Sequence, residues 1–200
     1  KNLKQEKKVE KLDKLIILKP KSIHSLITIF KIQCELEDWI GARKTLVLQQ
    51  NLDKKTRSIK QRQEALVIYA EAFKRKSEGE EDSALEIIKE AIKKSPDLIP
   101  AVCLASELEK SKGKIKNAEK YIKTCWKIKP HPDLAKSFAN LFPDETSKER
   151  LKRFSPLLNN SNTAKMIKTL KAELVIANEV VPSATSTGET FFAVQPISSD

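Results

Sequence analysis

Apolar residues recur through most of this chain at the three- and four-residue spacing of amphipathic helices. The opening stretch, 1–18, places Leu3, Val9, Leu12, Leu15 and Ile16 in this pattern among lysines and glutamates. From residue 23 onward the pattern continues in segments separated by small residues or by proline. The pattern therefore predicts an all-α chain made of helices of moderate length.

Small residues and prolines repeat along the chain at one fixed offset. Five pairs of positions lie 34 residues apart: Ala72 and Ser106, Gly79 and Gly113, Ala84 and Ala118, Ala91 and Cys125, Pro96 and Pro130. A period of 34 residues is the signature of tetratricopeptide repeats, in which each repeat is a helix–turn–helix unit. The sequence predicts a right-handed α-solenoid of antiparallel helix pairs, with these positions packing the repeats together.

The register divides the chain into repeat units. Ala42 takes the position of Ala84 in an earlier repeat, but the two lie 42 residues apart, so eight residues beyond one period are inserted between them. We expect this insertion to lengthen a helix or a connecting loop. The predicted units are a partial-repeat helix over 1–22, repeat 1 over 23–56, the insertion over 57–64, repeat 2 over 65–98 and repeat 3 over 99–132.

Residues 133–180 are predicted to form further helices of an incomplete repeat. Thr146 and Glu149 have the spacing of a capping box that starts a helix, and Pro156 should bend or end it. A last helical pattern covers about 163–179. The Ser-, Thr-, Pro- and Gly-rich segment 181–200 predicts a disordered tail.

Composition narrows the classes of function. The net charge of +11 suits an anionic partner, but the lysines are interleaved with glutamates along nearly every helix, which favours a solvated basic surface over a specific nucleic-acid site. Three cysteines without CxxC spacing favour reduced thiols over disulfides or a metal site. The chain has no run of about 18 apolar residues, so no membrane span is predicted within it.

Few residues offer catalytic chemistry. His24 and His131 are the only histidines, and each stands where a surface or capping role is expected. Four glycines leave no phosphate-binding loop. A solenoid of this class works through its concave surface, so we expect a non-enzymatic protein without a cofactor. Haem remains an alternative ligand, through Cys103 or a histidine.

The concave face is expected to carry the partner site. The first helix of each repeat should point its second, fifth and ninth residues inward. A groove around Tyr69 and Phe73, with Lys31, Lys74, Arg75 and Lys76 at its rim, could anchor an acidic peptide or helix that also carries apolar residues. The predicted partner-binding residues are Lys31, Leu66, Tyr69, Phe73, Lys76, Cys103 and Glu107.

Three segments carry a family resemblance. Residues 91–101 (AIKKSPDLIPA) and 126–135 (WKIKPHPDLA), followed by RLKR at 150–153, resemble the HemY family of bacterial inner-membrane tetratricopeptide proteins, in its alphaproteobacterial branch. The resemblance covers roughly 20–175. It implies a repeat domain that faces the cytoplasm and is tethered by N-terminal membrane helices absent from this chain, so that the fragment itself is soluble.

The resemblance also implies a role beside late haem biosynthesis, with no catalytic activity of its own. On this basis we expect a scaffold for protein partners, among them late haem-biosynthesis enzymes. A haem or porphyrin carrier and a general peptide-binding adaptor are the alternatives.

Overall fold

The computed structural model describes residues 2–18, 22–52 and 57–159. The described residues form helices and no strands. The predicted helix at 163–179 and the predicted tail at 181–200 lie outside them. The helices, in chain order, are α1 (Asn2–Ile17), α2 (Ile23–Glu35), α3 (Trp39–Leu52), α4 (Arg57–Ser77), α5 (Glu81–Lys94), α6 (Ile99–Ser111), α7 (Ile115–Ile128), α8 (Pro132–Ala139) and α9 (Ser147–Asn159).

Six of these helices form three successive pairs, α2 with α3, α4 with α5 and α6 with α7. In each pair the two helices are joined by three residues, 36–38, 78–80 and 112–114. Each pair also packs on the next, through α3 against α4 and through α5 against α6. The described chain is therefore the all-α tetratricopeptide-like solenoid that its period predicts.

The three turns share one backbone conformation. Their central residues, Glu37, Gly79 and Gly113, have positive φ angles of 57°, 86° and 70°. In the last turn the Gly113 N–H donates to the Lys110 carbonyl at 2.9 Å, and the Lys114 N–H donates to the Glu109 carbonyl at 2.8 Å. This pair of bonds is the Schellman motif, which satisfies the last carbonyls of a helix and reverses the chain. The matching bonds are present in the other two turns.

Small side chains lie where paired helices meet. Seven of the predicted packing positions are buried: Ala42, Ala72, Ala84, Ala91, Ser106, Ala118 and Cys125. A small side chain at such a contact allows two helix axes to approach closely. Pro96 and Pro130 lie just beyond the ends of α5 and α7, where a residue without an N–H cannot continue the helix.

The inserted residues 57–64 form the first two turns of α4, which makes α4 a helix of 21 residues where its counterpart α6 has 13. Two of these residues bind the neighbouring elements. Arg62 Nη1 contacts Asp97 Oδ2 at 2.7 Å, and Glu64 Oε1 accepts from Lys94 Nζ at 2.8 Å. The insertion therefore lengthens a helix and ties it to the end of α5 and to the loop that follows.

Helix α9 covers the end of the array. Thr146 and Glu149 form the capping box, since the Thr146 N–H donates to Glu149 Oε2 at 2.9 Å and the Glu149 N–H donates to Thr146 Oγ1 at 3.3 Å. Pro156 was predicted to bend or end this helix, and it does not end it, because α9 continues to Asn159. Leu157 and Leu158 are buried against α7. Burial of two leucines contributes about 3–6 kcal/mol, which is enough to offset the roughly 3 kcal/mol cost of a proline in a helix.

Arg153 ties α9 to α8 and to the loop between them through partly buried contacts. Arg153 donates from Nη1 to the Phe138 carbonyl at 2.8 Å and from Nε to Glu145 Oε2 at 2.8 Å. Its guanidinium lies 4.2 Å from the centre of the Phe138 ring and 4.7 Å from that of Phe142. A planar guanidinium can stack on rings and bind a carboxylate with several N–H donors at once, whereas lysine has one compact ammonium group.

Candidate functional site

A groove in the described part of the chain runs along the first helices of successive pairs. It has a volume of about 630 Å³ and is lined by α4, α6 and α8 with the residues that follow α8. Helix α8 takes part because it occupies the position of a first helix in a fourth repeat. The groove thus follows the inner surface that tetratricopeptide arrays use to bind partners.

An aromatic pair forms one wall of this groove. The rings of Tyr69 and Phe73, one helical turn apart on α4, have centroids 6.1 Å apart and an interplanar angle of 42°. Tyr69 is half-buried and packs on the core cluster of repeat 2. Phe73 is 54% exposed, so most of its ring surface remains available for contact with another molecule.

Cys103 lies across from these rings, on α6. Its thiol donates a weak hydrogen bond to the Asp133 carbonyl, with Sγ 3.8 Å from the oxygen. Burial raises the pKa of the Cys103 thiol, and the hydrogen bond from Ser137 opposes this only in part. Burial likewise raises the pKa of the Tyr69 hydroxyl. Both groups are therefore uncharged near neutral pH, and the thiol is a weak nucleophile and a weak ligand.

The charged rim differs from the sequence prediction. Lys74 and Arg75 do not line the groove; they lie at a second cavity beside Glu37, Glu71 and Glu80. Arg75 pairs there with Glu80 at 3.0 Å, and Lys74 lies 3.6 Å from Glu37. Lys74, Arg75 and Lys76 follow one another along α4, and successive residues of a helix point about 100° apart. Lys74 and Arg75 therefore face the second cavity, while Lys76 reaches Glu107 at the groove.

The remaining charges of the groove balance in sign. Two acidic residues, Glu107 and Asp133, line it together with two lysines, Lys110 and Lys136. Glu107 is bound to Lys76, with 2.6 Å between Oε1 and Nζ. Lys110 Nζ donates to the Asn140 carbonyl at 2.5 Å. The groove is therefore an apolar surface with a nearly neutral polar edge, and the predicted basic rim is wrong.

The predicted partner-binding residues are brought together only in part. Tyr69, Phe73, Cys103 and Glu107 line the groove, and Lys76 reaches it through its pair with Glu107. Leu66 and Lys31 are exposed on α4 and α2, but neither is among the lining residues. Lys31 belongs to a repeat one step away from the groove.

Helix α8 was not among the predicted elements of the site. A signal for it was present, because adding one more period of 34 to Cys103 and Glu107 gives Ser137 and Leu141, which both line the groove. The signal was missed because α8 is only eight residues long and the loop after it contains Pro143, a pattern that resembles a break in the array.

The two histidines contribute no catalytic base to the groove. His131 is the N-cap of α8, and its Nδ1 accepts from the Asp133 N–H at 3.2 Å. His24 is exposed in the first turn of α2. Within 2–18, 22–52 and 57–159, no group of three or more His, Cys, Asp or Glu side chains is placed to bind a metal ion. No helix in these ranges has the length and apolar character needed to cross a bilayer.

The paired helices, their common turns and the groove along first helices define a helical-repeat protein of the tetratricopeptide type. The crystal structure of TTC0263, described as a thermophilic TPR protein in Thermus thermophilus, aligns with 82% of this chain and 87% of that chain, at 14% sequence identity and a TM-score of 0.37. No family model matches the chain, and neither does any curated protein. The resemblance to the HemY family thus receives no support from these comparisons.

Proposed function

We propose that the chain is a non-enzymatic scaffold that binds a segment of a partner protein in the groove between α4, α6 and α8. The observation that carries this proposal is Phe73, which exposes 54% of its surface inside a groove whose floor is apolar. Aromatic side chains of this kind act as anchors in protein interfaces because a few buried rings supply most of the binding energy.

The balanced rim supports one kind of partner segment. A strongly acidic peptide would meet Glu107 and Asp133 as well as Lys110 and Lys136, so charge gives it little advantage. An extended or helical segment with apolar side chains fills the space beside Tyr69 and Phe73 better. Its polar groups can bind Ser137 and Asn140 at the edge.

The test compares two exposed apolar residues on the same helix. Phe73→Ala should weaken partner capture about tenfold, since loss of a ring from an interface costs roughly 1–2 kcal/mol. Leu66→Ala is the matched control, because Leu66 is 45% exposed on α4 but does not line the groove. Proteins retained from a cell lysate would be quantified by mass spectrometry on the wild type and both variants.

The outcomes separate the hypotheses. Proteins held by the wild type and by Leu66→Ala but lost from Phe73→Ala support the groove as the partner site. Equal retention on all three would overturn it. The double variant Tyr69→Ala with Phe73→Ala should abolish capture while far-UV circular dichroism keeps its helical signal.

The identity of the partner is a narrower proposal. Late haem-biosynthesis enzymes, and a location of the intact protein at the inner membrane, rest on the family resemblance alone. Late haem-biosynthesis enzymes among the proteins lost from Phe73→Ala would support this proposal, and the absence of these enzymes would count against it.

A haem or porphyrin carrier ranks below the scaffold. The raised pKa of Cys103 disfavours a thiolate ligand for haem iron, and His24 lies outside the groove. Titration with haem tests this alternative, because a specific site gives a saturable Soret shift that is lost in Cys103→Ala or His24→Ala.

A further inference from the structure

The exposed side of α7 carries a row of lysines, Lys116, Lys120, Lys123 and Lys127, which we call the lysine face. Their spacing of four, three and four residues places them on one side of the helix, over about 16 Å of its length. Helix α7 contributes no residue to the lining of the groove, so this face is separate from the partner site proposed above.

Most of these lysines have no acidic partner in the part of the chain that the structure describes. Of the four, only Lys123 forms an ion pair with a described residue, Glu119, at 2.8 Å. Lys116, Lys120 and Lys127 are exposed, and none of them lies within 4.0 Å of a carboxylate in 2–18, 22–52 or 57–159. Seven other described lysines form ion pairs, for example Lys76, Lys94 and Lys112. The lysine face is thus a local concentration of uncompensated positive charge.

The repeat itself provides an internal comparison. One period earlier, the corresponding positions on α5 are Asp82, Glu86, Lys89 and Lys93. Two acidic and two basic residues cancel there, and the acids are engaged by lysines, Asp82 by Lys112 and Glu86 by Lys89. The four positions are therefore neutral as a set on α5 of repeat 2, and all four carry lysine on α7 of repeat 3.

The stability of α7 does not explain this change. The first turn of α5 contains Glu81 and Asp82, which is the favourable sign at the positive end of the helix dipole. The first turn of α7 contains no acidic residue and holds Lys116 instead. A lysine at this position opposes the dipole and costs a few tenths of a kcal/mol. The helix dipole therefore does not account for Lys116, although Lys127 in the last turn of α7 has the favourable sign.

The chemistry of the face favours an anionic bilayer over nucleic acid. Its charges are all lysine ammonium groups, without arginine for bidentate phosphate contacts. The exposed residues between them are Asn117 and Thr124, which offer no ring to stack on bases. Point charges on flexible stems suit a diffuse layer of anionic headgroups.

We propose that the lysine face of α7 docks this protein on an anionic lipid surface. The attraction is electrostatic, so it should fall steeply as the salt concentration rises. The inference does not depend on the groove, because Phe73→Ala leaves α7 unchanged and should leave lipid binding unchanged.

The test measures co-sedimentation with vesicles of phosphatidylcholine that contain about one-third phosphatidylglycerol. The variant Lys116→Asp with Lys120→Glu introduces the residues that α5 has at these positions, so α7 should fold at least as well. The control variant is Lys11→Glu with Lys44→Glu, two exposed lysines on α1 and α3. Both variants lower the net charge of +11 by the same amount.

We expect the wild type to bind these vesicles and the α7 variant to bind at least about 25-fold more weakly, since each lysine near an anionic surface is worth about fivefold in affinity. The control should stay within a few-fold of the wild type. An equal loss in both variants would show that only overall charge matters, and would overturn the proposal. Absence of vesicle binding, or binding to duplex DNA alone, would overturn it as well.

Discussion

At the scale of single residues, the three turns between paired helices all have a positive φ angle at their central residue. Gly79 and Gly113 adopt positive φ without steric cost, and a Cβ at either would meet nothing within 4 Å. Glu37 holds the same conformation, with φ of 57°, although it has a Cβ. A non-glycine residue in this region is strained by about 1–2 kcal/mol. Repeat 1 therefore carries backbone strain that repeats 2 and 3 avoid.

Replacing Glu37 by glycine should stabilise the protein by about 1 kcal/mol, because it removes this strain at a modest cost in chain entropy. The Glu37–Lys74 contact that is lost is 3.6 Å long and exposed, so its loss costs little. Urea unfolding followed by circular dichroism measures the change.

Glu37→Ala is the matched control, since it removes the charge but keeps the Cβ. A gain in Glu37→Ala equal to that in Glu37→Gly would assign the effect to the charge and contradict the strain argument. Gly113→Ala should lose about 1 kcal/mol for the opposite reason.

At the scale of elements, the inserted turns of α4 bind the loop between α5 and α6. Asp97 in that loop accepts from the Ser95 hydroxyl at 2.7 Å and pairs with Arg62 at 2.7 Å. The Ser95 hydrogen bond, and then the Arg62 charge, lower the pKa of the Asp97 carboxyl below its ordinary value of 3.8. The insertion thus adds a contact between repeat 2 and the start of repeat 3.

This contact predicts a pH dependence. A carboxyl whose pKa is lower in the folded state stabilises the fold above about pH 4, and this contribution is lost as the pH falls through the lowered pKa. Asp97→Asn should therefore be less stable than the wild type at pH 7, and the difference should shrink as the pH falls below 3.8.

Urea unfolding at a series of pH values measures this difference. Arg62→Gln removes one of the two contacts and should lie between the wild type and Asp97→Asn. A difference between the wild type and Asp97→Asn that stays constant across the acid range would refute the linkage.

At the scale of the whole molecule, the stability of each helix depends on the neighbouring helices that pack against it in the array. Helix α6 packs against α5, α7 and α8 and buries eight residues. Helix α1 packs on α2, and Leu12 is its only buried side chain among residues 6–18. In a repeat array each unit is stabilised by its neighbours, so terminal helices open more readily than internal ones.

Hydrogen exchange should reflect this order. Backbone amides of α5, α6 and α7 should exchange slowest, and those of α1 should exchange fastest among the helices described. Hydrogen–deuterium exchange with mass spectrometry resolves these segments directly. Uniform protection from α1 to α7 would mean that the array unfolds as one cooperative unit.

Packing between neighbouring helices also limits what could be predicted from the sequence. The burial of Ala84, Ala91 and Ala118 followed from the 34-residue period, because each position meets the same surroundings in every repeat. Tyr69 and Phe73 were placed in the groove by the same rule. Lys74 and Arg75 follow Phe73 on α4, and each residue of a helix turns about 100°, so both point away from the groove that Phe73 faces. The acidic residues that they meet instead, such as Glu37, depend on how neighbouring helices pack, which the sequence rule did not specify.

The end of the array was also beyond sequence rules. The local sequence predicts that Pro156 bends or ends the helix. However, Trp126 Nε1 donates to the Leu157 carbonyl at 3.0 Å, and Leu157 and Leu158 are buried, so the helix continues past Pro156. Helix α8 did have a sequence signal in Ser137 and Leu141, but only its packing on α6 shows that it completes the groove. In both places packing partners some 30 residues away determine the outcome.

By itself, the sequence determined the class of fold, the helix pairs and the turns between them, because these follow from local spacing and from the conformational freedom of residues such as Gly79 and Gly113. Only the tertiary structure decided which charges meet. Lys76 is neutralised by Glu107, whereas Lys116 and Lys120 have no acidic partner among the described residues. The physical reason is that charge pairing depends on the distance between helices, and the sequence of one helix does not contain that distance.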